Sequence, residues 1–504
     1  MEFRLAVFFL FLYYIRPQDW IGGMAGFNII RPLIVIWAWA LFSSRSRSPV
    51  PGILRTPHDW CMLLYFGWVL WMGAGAQSAF SGFLPLVIFY AFTLHSLGTW
   101  ERIKGFLKAW NFMLLGVAVI ALASLMKVDL TGAVDLTMKA EGRLCIGTWM
   151  HNNPNALGHS MAVVMPLSYM LHFWRGNVLG RFVIFPAQST LALWCIYETQ
   201  SKGAFLVTGL LMVLLFVVGR PLLVKAFALT VALSLGVSAL SFLPRMSQVG
   251  NLRADEGVQG RLMAWELAKT AMEQRPAGWK QFIAYINWRG ITEAKATHSS
   301  YVQVGADLGI QGMALYLLAL WAAYRTTVHA ARTCRDEDDR ERSRRALMVL
   351  IIAYATSGWM INREYHTEYF LLIAAAAAMH RLCLSEQQSL AFEPGGDPIE
   401  GEDTVRSWSA AGNSQTAMAW PALVPVAPGF SEVPFRAASA PLQSPVTAVM
   451  ATAGAPVLES LAGLAEGESA RRFRWNRLNW PDLGAAVILT WAVIYVWEYI
   501  LKNL

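Results

Sequence analysis

Charged side chains are scarce in this sequence, and so are cysteines. Only 15% of its 504 residues are Asp, Glu, Lys or Arg, whereas 56% are hydrophobic. An ordinary soluble domain carries about a quarter charged residues, so the composition excludes that class. The five cysteines form no C-x-x-C pair, and we therefore expect neither a disulfide framework nor a cysteine-based metal site.

Long apolar segments are what the sequence has instead. They recur at lengths near the roughly 20 residues that a helix needs to cross a bilayer, and the 22 tryptophans suit the membrane interface. The sequence therefore predicts an all-α polytopic membrane protein with about twelve transmembrane helices and an extra one near the C-terminus. The predicted spans are 3–15, 27–43, 59–76, 82–98, 106–126, 155–174, 181–197, 202–219, 222–243, 301–324, 345–361, 367–383 and 483–502.

Basic residues between the spans predict the orientation. With the N-terminus inside, the short cytoplasmic loops hold 17 Lys and Arg and the short external loops hold 6, as the positive-inside rule requires. Residues 244–300 then form a large external loop. The net charge of +8 belongs mainly to cytoplasmic loops, so we expect no nucleic-acid partner.

The chain divides into three parts by composition. Residues 1–383 form the predicted transmembrane domain. Residues 384–470 are rich in Ala, Pro, Ser, Gly and Glu without helical periodicity, which predicts a disordered cytoplasmic linker. Residues 471–504 hold a basic juxtamembrane segment, RRFRWNRLNW, suited to anionic headgroups, and the last helix. That helix is either a dispensable anchor or a helix that docks a partner.

Two polar segments precede predicted spans on the external face. In GTWMHNNPNALGHS (147–160), Asn153 and Asn155 predict a helix start around Pro154, because Asn and Pro are favoured there. The same amides and the helix N-terminus also suit an anionic ligand. In ETQSKGAFL (198–206), Lys202 is either an interfacial lysine whose ammonium reaches water or a ligand contact.

A third segment lies within the large loop. EGVQGRLMAWELAKTAMEQRPAGW (256–279) places Leu262, Trp265, Ala268 and Met272 roughly on one helical face, which predicts an amphipathic helix across the external mouth. Arg261 lies in its first turn, where the helix dipole opposes a cation. An anionic ligand and simple hydration are the two explanations of this arginine.

A fourth segment, THSSYVQVGADLGIQG (297–312), leads into the tenth predicted span. His298 lies at its start and is either an interfacial residue or a functional one. Gly309 and Gly312 are small enough to let neighbouring helices approach closely.

Together the four segments resemble the O-antigen ligase family and its bacterial relatives, the O-antigen polymerases and O-oligosaccharyltransferases. GTWMHNNPNALG is similar to the family's G-x-F-x-N-P-N segment, and TQSKGAFL to its S-R-G/A segment. GRLMAWELAKTAMEQRPAGW is similar to its R-x-x-x-W-x-x-A helix and the following P-x-x-G. THSSYVQVGADLGIQG is similar to its H-N/S-x-Y/L segment with a later G-x-x-G. The order is the family's, over about residues 140–325, although Lys202 stands where relatives often carry Arg.

The resemblance implies a GT-C-type glycosyltransferase of the bacterial inner membrane. Such an enzyme moves a preassembled glycan from undecaprenyl pyrophosphate to an acceptor hydroxyl on the periplasmic face, as in lipopolysaccharide or other surface-polysaccharide biosynthesis. The acceptor belongs to lipid A core, a protein or a growing glycan. The expected partners are this donor, the acceptor and membrane lipids.

The resemblance also implies roles for individual residues. Arg261 would stabilise the pyrophosphate leaving group and His298 would accept the acceptor's proton, so we expect no metal and no cofactor. Arg363 and His366, in NREYHTEYF, are weaker candidates that line the site or belong to a hydrated, tyrosine-rich interface. The further contacts expected for the pyrophosphate or glycan are Lys202, Asn153, Asn155, Arg143 and Arg289.

Two alternatives stay open. A polymerase of the same family would extend one lipid-linked glycan with another. A transporter or flippase would instead place ionisable residues near the middle of its spans. Here Arg31 and Asp307 are the exceptions in nearly uncharged spans, and the polar residues concentrate in external loops, which favours the enzyme.

Overall fold

The structure is a computed structural model that describes most of the hydrophobic part of the chain. About 80% of the described residues are helical and none lies in a strand, as predicted for an all-α protein. The described residues are 1–24, 27–43, 54–73, 76–217, 222–223, 226–227, 230, 256–288, 296–331, 334, 337–391 and 478–503.

The helices of these ranges are numbered here in chain order. Two short π-helical turns, Tyr169–Phe173 and Gly180–Ile184, lie between the eighth and ninth. The helices are α1 (Glu2–Tyr14), α2 (Pro17–Trp20), α3 (Ile30–Ser43), α4 (Pro57–Met72), α5 (Ala76–Ser96), α6 (Trp100–Leu125), α7 (Ala133–Lys139), α8 (Pro154–Ser168), α9 (Phe185–Thr199), α10 (Lys202–Val217), α11 (Glu256–Gln274), α12 (Phe282–Trp288), α13 (Ser300–His329), α14 (Asp338–Ser357), α15 (Thr367–Ala391) and α16 (Trp480–Asn503).

Five helices in the described part of the chain are long and apolar enough to cross a membrane: α5, α6, α13, α15 and α16. Helices α3 and α10 are apolar but shorter. Each predicted span that falls on described residues coincides with a helix, whereas the span predicted at 222–243 lies mostly outside them. The chain is therefore a multi-pass membrane protein, and the count of twelve spans stays a prediction.

Helix α13 lies at the centre of the arrangement around the candidate site. It packs against α4, α11, α14 and α16, and α8 packs against α9, α10 and α14. Helix α15 is buried along residues 367–384. Its run of five alanines (374–378) explains this burial, because small side chains let the surrounding helix backbones come close.

Several helices extend beyond the predicted spans, α14 and α15 the furthest. Helix α14 begins at Asp338 rather than near 345, because Arg344 and Glu341 neutralise each other through a buried double contact of 2.6 Å. Helix α15 continues to Ala391, past the predicted end at 383. The rest of the predicted linker lies outside the described residues, as does Arg289.

Candidate active site

His298 lies in the short loop that precedes α13, and the chain is held on both sides of it. Trp265 of α11 donates its indole N–H to the Thr297 carbonyl at 2.7 Å. The Ser300 amide donates to the Gly358 carbonyl at 2.7 Å. His298 itself has a φ of 48°, a left-handed conformation that costs a non-glycine residue roughly 1–3 kcal/mol. These bonds hold the imidazole in place against that backbone strain.

The segment between α14 and α15 packs against the His298 loop. The Ser300 hydroxyl donates to the Ile361 carbonyl at 2.9 Å and accepts the Arg363 amide at 2.9 Å. The Thr297 hydroxyl lies 3.1 Å from the Asn362 side-chain oxygen. The two loops therefore form one hydrogen-bonded unit.

Arg261 lies one turn before Trp265 on α11. This is the helix predicted to be amphipathic, and Trp265, Ala268 and Met272 of the predicted face are buried. Arg261 is half-buried. Because Trp265 binds the carbonyl of Thr297, the helix that carries Arg261 is attached directly to the loop that carries His298.

The chain after α11 is fastened to α13. The amides of Ala277 and Gly278 donate to the carbonyls of Ala306 and Asp307 at 2.9 and 2.8 Å. The Asp307 carboxylate accepts the Phe282 amide at 3.0 Å and so caps the start of α12. Asp307 therefore has a structural role: it joins the chain after α11 to α13. This explains one of the two charged residues noted within the predicted spans.

A break at Gly309 exposes the carbonyls used in these contacts. Gly309 has φ 73° and ψ −175°, so the helical hydrogen-bond pattern is interrupted there. Trp68 of α4 donates to the Leu308 carbonyl at 2.9 Å. A Cβ on Gly309 would lie 2.9 Å from Pro276 Cγ, and one on Gly312 would lie 3.1 Å from the Trp68 indole nitrogen. Both glycines permit the predicted close approach, and Gly309 also supplies a left-handed backbone.

The asparagines of the NPN segment bind the chain itself. Asn153 caps α8 by accepting the Asn155 amide at 2.8 Å. This agrees with the interpretation of the segment as a helix start. The Asn155 side-chain oxygen accepts from Arg143 at 2.9 Å and from Ser201 at 2.8 Å. Arg143 also donates to the Thr199 carbonyl at 3.1 Å. The sequence-predicted residues Asn155 and Arg143 thus fix the turn before α10, whose first residue is Lys202.

A comparison with protein families bears on the two interpretations of the sequence, an enzyme of the O-antigen ligase family and a carrier. Residues 189–317 match the family model described as O-antigen ligase. By this similarity we refer to residues 189–317 as the O-antigen ligase domain. It contains Lys202, Arg261 and His298, and so the resemblance predicted from the motifs is confirmed. The NPN segment precedes the matched range, and no curated protein matches the chain.

A buried histidine borders the O-antigen ligase domain and was missed from the sequence. His159 of α8 is fully buried, and neither of its ring nitrogens has a hydrogen-bond partner among the described residues. A Cβ on Gly203 would lie 3.1 Å from its Nε2. Arg261, His298 and Arg363 all act on His159 electrostatically. His159 therefore lies within electrostatic range of both predicted catalytic residues.

A buried polar network lies beside the O-antigen ligase domain on the Arg363 side. Arg363 is 4% exposed and donates to Glu368 at 3.0 Å and to the Ser160 hydroxyl at 2.6 Å. Tyr14 donates to the other Glu368 oxygen at 2.6 Å, and His151 Nε2 lies 3.0 Å from the Ser160 hydroxyl. The interpretation of NREYHTEYF as a hydrated interface is wrong for Arg363, because its guanidinium is enclosed by these partners.

Two neighbours of Arg363 have strongly shifted pKa values. Burial raises the pKa of Glu364 to about 8, with a smaller contribution from the charge of Asp307. One of the two Glu364 oxygens is buried without a hydrogen-bond partner. Burial, reinforced by the charge of Arg363, lowers the pKa of His366 to about 3, and its ring stacks on Trp149 at 5.1 Å. Glu364 and His366 are therefore both neutral near pH 7.

The arrangement places the Arg261 guanidinium and the His298 imidazole within electrostatic range of the His159 imidazole. A guanidinium suits a phosphate or pyrophosphate, and an imidazole exchanges a proton near neutral pH. Within the described ranges, no group of three or more His, Cys, Asp or Glu side chains is arranged to hold a metal ion.

Proposed function

We propose that this chain transfers a preassembled glycan from undecaprenyl pyrophosphate to an acceptor hydroxyl at the periplasmic face of the bacterial inner membrane. The observation that carries the proposal is the O-antigen ligase match over 189–317, which includes Lys202, Arg261 and His298. The contact from Trp265 to Thr297, which joins the helix of Arg261 to the loop of His298, supports a shared site.

The proposed reaction assigns one task to each charged or titratable residue. The acceptor oxygen forms a bond to the anomeric carbon of the glycan as that carbon's bond to the pyrophosphate oxygen breaks. His298 takes the proton of the acceptor hydroxyl. The pyrophosphate leaves with the bonding electron pair, and Arg261 and Lys202 stabilise its charge. Lys202 is a point charge, without the fork that lets Arg bind phosphate through two parallel bonds.

The other predicted contacts receive narrower roles in this proposal. Asn153 acts as a helix cap, and Asn155 and Arg143 hold the turn that presents Lys202. They would affect the donor through Lys202 rather than by direct contact. Arg289 lies outside the described residues and stays a predicted contact.

The test is complementation of a strain deleted for this chain with Arg261→Ala and His298→Ala. Arg275→Ala is the matched control, because Arg275 is an exposed arginine just after the same helix. We expect both site variants to reach normal membrane levels, to lose surface glycan by at least about 100-fold and to accumulate lipid-linked glycan. The control should complement fully. Full complementation by both site variants would reject this site and favour a carrier.

The accumulated precursor also separates the two transferase alternatives. Long glycans that stay on the lipid indicate a ligase, because polymerisation has already occurred. Single repeats that are still attached to their acceptor indicate a polymerase.

A further inference from the structure

The last helix, α16, lies outside the matched family range and yet packs on it. One stripe of the helix is buried, and it faces α13 and α11. The opposite face is apolar and exposed, with Trp491 as its largest central side chain at 66% exposure. The buried stripe consists of Asp482, Ala486, Thr490, Val493 and Trp497. Their spacing of three and four residues is that of one helix face, so α16 has one protein-facing side.

Polar contacts fix the position of α16 at its first turn. The Asp482 carboxylate is buried and pairs with Arg325 of α13. Trp321, one turn earlier on α13, lies 3.3 Å from the same oxygen through its indole nitrogen. Asn479 and Asp482 exchange side-chain-to-amide bonds of 3.2 Å and so cap the helix start. A buried ion pair at this place determines the register of α16 along α13.

The other end of α16 reaches the helix of Arg261. Trp497 is 1% exposed, and its ring lies 6.5 Å from that of Trp265 in an edge-to-face arrangement. A Cβ on Gly305 of α13 would lie 3.3 Å from the Trp497 ring, so the glycine leaves room for the indole. Glu498 pairs with Lys269 of α11 at 2.9 Å.

We propose that α16 is a working part of the transfer site and that Trp497 is a positioning residue. Trp497 supports Trp265, whose indole N–H holds the Thr297 carbonyl next to His298. Arg261 lies one turn away on the same helix as Trp265. This inference rests on the proposed function for the words "transfer site". It differs from both sequence interpretations of α16, because a helix that positions Trp265 is neither a dispensable anchor nor a helix that docks a partner.

The physical reason is the cavity that a missing indole would leave. Removal of Trp497 leaves an unfilled space between α11 and α13, and Trp265 then has room to tilt. A displacement of about 1 Å at a reacting group lowers a rate by up to about 100-fold. We therefore expect an effect on turnover rather than on donor binding.

Docking of α16 is tested first, by a measurement that does not depend on activity. Lys269→Cys and Glu498→Cys are combined in the full chain, which also carries a protease site inserted near residue 430. The Lys269 and Glu498 side chains meet at their tips, so the two thiols are joined with a short bis-maleimide cross-linker rather than by a direct disulfide, which needs the two Cβ atoms about 4 Å apart. After cross-linking of membranes and cleavage, the two fragments should stay joined on a gel. Lys269→Cys with Trp491→Cys is the control, because Trp491 lies on the exposed face, and its fragments should separate. Separation of the first pair would overturn the proposal.

Positioning is tested by three variants in the otherwise intact chain. The substrate is the lipid-linked glycan that accumulates in the deletion strain, and initial rates are measured against its concentration. For Trp497→Ala we expect kcat to fall about tenfold, within the range above, with KM changed less than about twofold. Trp497→Phe should recover most of kcat, because an aromatic ring again fills the space. Trp491→Ala should match the parent.

The outcomes separate the two proposals. Equal kcat for Trp497→Ala and Trp491→Ala, with docking shown by the cross-link, would overturn the positioning role. A rise in KM with kcat retained would also overturn it and would place Trp497 in donor binding. If the parent chain itself shows no transfer although the cross-link forms, the proposed function fails and the positioning role fails with it, while the docking of α16 stands.

Discussion

Helix α8 carries a polar side chain on each of two sides, Ser160 on one and His159 on the other. The two look alike in the sequence but have different surroundings in the structure. On one side, Ser160 joins His151 and Arg363, and Arg363 continues to Glu368. On the other side, His159 is just as buried, yet its ring has no hydrogen-bond partner among the described residues. Leaving a buried polar group unsatisfied costs roughly 1–3 kcal/mol. We therefore predict that the His159 ring contacts a bound substrate, whereas the network around Ser160 serves the fold.

The largest expected difference between the two sides comes from replacing each histidine with phenylalanine. His159→Phe should lower transfer about 100-fold, within the range of lost acid–base or hydrogen-bonding groups at active sites. Its thermal midpoint in detergent should stay at or above the parental value, since an unpaired polar ring is removed. His151→Phe should do the reverse: it lowers the midpoint by leaving Ser160 without that partner and keeps transfer per folded molecule. Identical behaviour of the two variants would refute the contrast.

A smaller effect is expected from a methyl group added beside His159. Gly203→Ala would place a Cβ 3.1 Å from the His159 ring, so the ring must shift by a few tenths of an ångström. We expect transfer to fall about tenfold at unchanged membrane level. Gly209→Ala on the same helix is the matched control, because nothing lies within 4 Å of its Cβ position. A parental rate for Gly203→Ala would mean that the His159 position is not critical.

The smallest expected effect is a change in the pH dependence of the thermal midpoint when Glu364 is replaced. This side chain lies next to the Arg363 network, and one of its two oxygens has no hydrogen-bond partner among the described residues. Its folded-state pKa of about 8 exceeds the ordinary value of 4.5, so the folded protein holds this proton more tightly than the unfolded chain. The associated stability is present below about pH 4.5 and is lost as pH rises through 8. The parental thermal midpoint should therefore drop between pH 5 and pH 8.5. Glu364→Gln, which stays neutral, should reduce that drop by about a few degrees; an unchanged drop would assign the pH dependence to other groups.

Hydrophobic runs and capping residues placed the long helices, whereas the short helices α2, α7 and α12 were not predicted. Asn153 and Pro154 marked the start of α8, and the apolar stripe with Trp265 marked α11, because these signals depend only on neighbouring residues. The match over 189–317 also confirms the family that the motifs predicted. The identities of Arg261 and His298 as candidates came from that resemblance, and their catalytic roles stay predictions.

Contacts between distant parts of the chain could not be read from the sequence. Glu368 binds Tyr14, 354 residues away, and nothing local to either residue identifies the other. The break at Gly309 depends on Pro276 and Trp68, which come from separate segments. His159 had one local signal, its position four residues after Asn155 on α8. Whether its ring is paired depends on packing against α10 and the segment after α14, so its importance appears only in three dimensions.

The exposed face of α16 also predicts where the lipid bilayer surrounds the protein. Trp480 and Tyr499 are 85% and 59% exposed, and the 1.5 Å rise per residue separates them by about 28 Å. That length is close to the roughly 30 Å thickness of the hydrocarbon layer, and aromatic rings of this kind favour its two boundaries. Glu498, next to Tyr499, pairs with Lys269 of α11. We therefore predict that α11 lies at the level of the lipid headgroups, where the lipid-linked donor of the proposed reaction would reach Arg261 by lateral diffusion while its tail stays among the acyl chains.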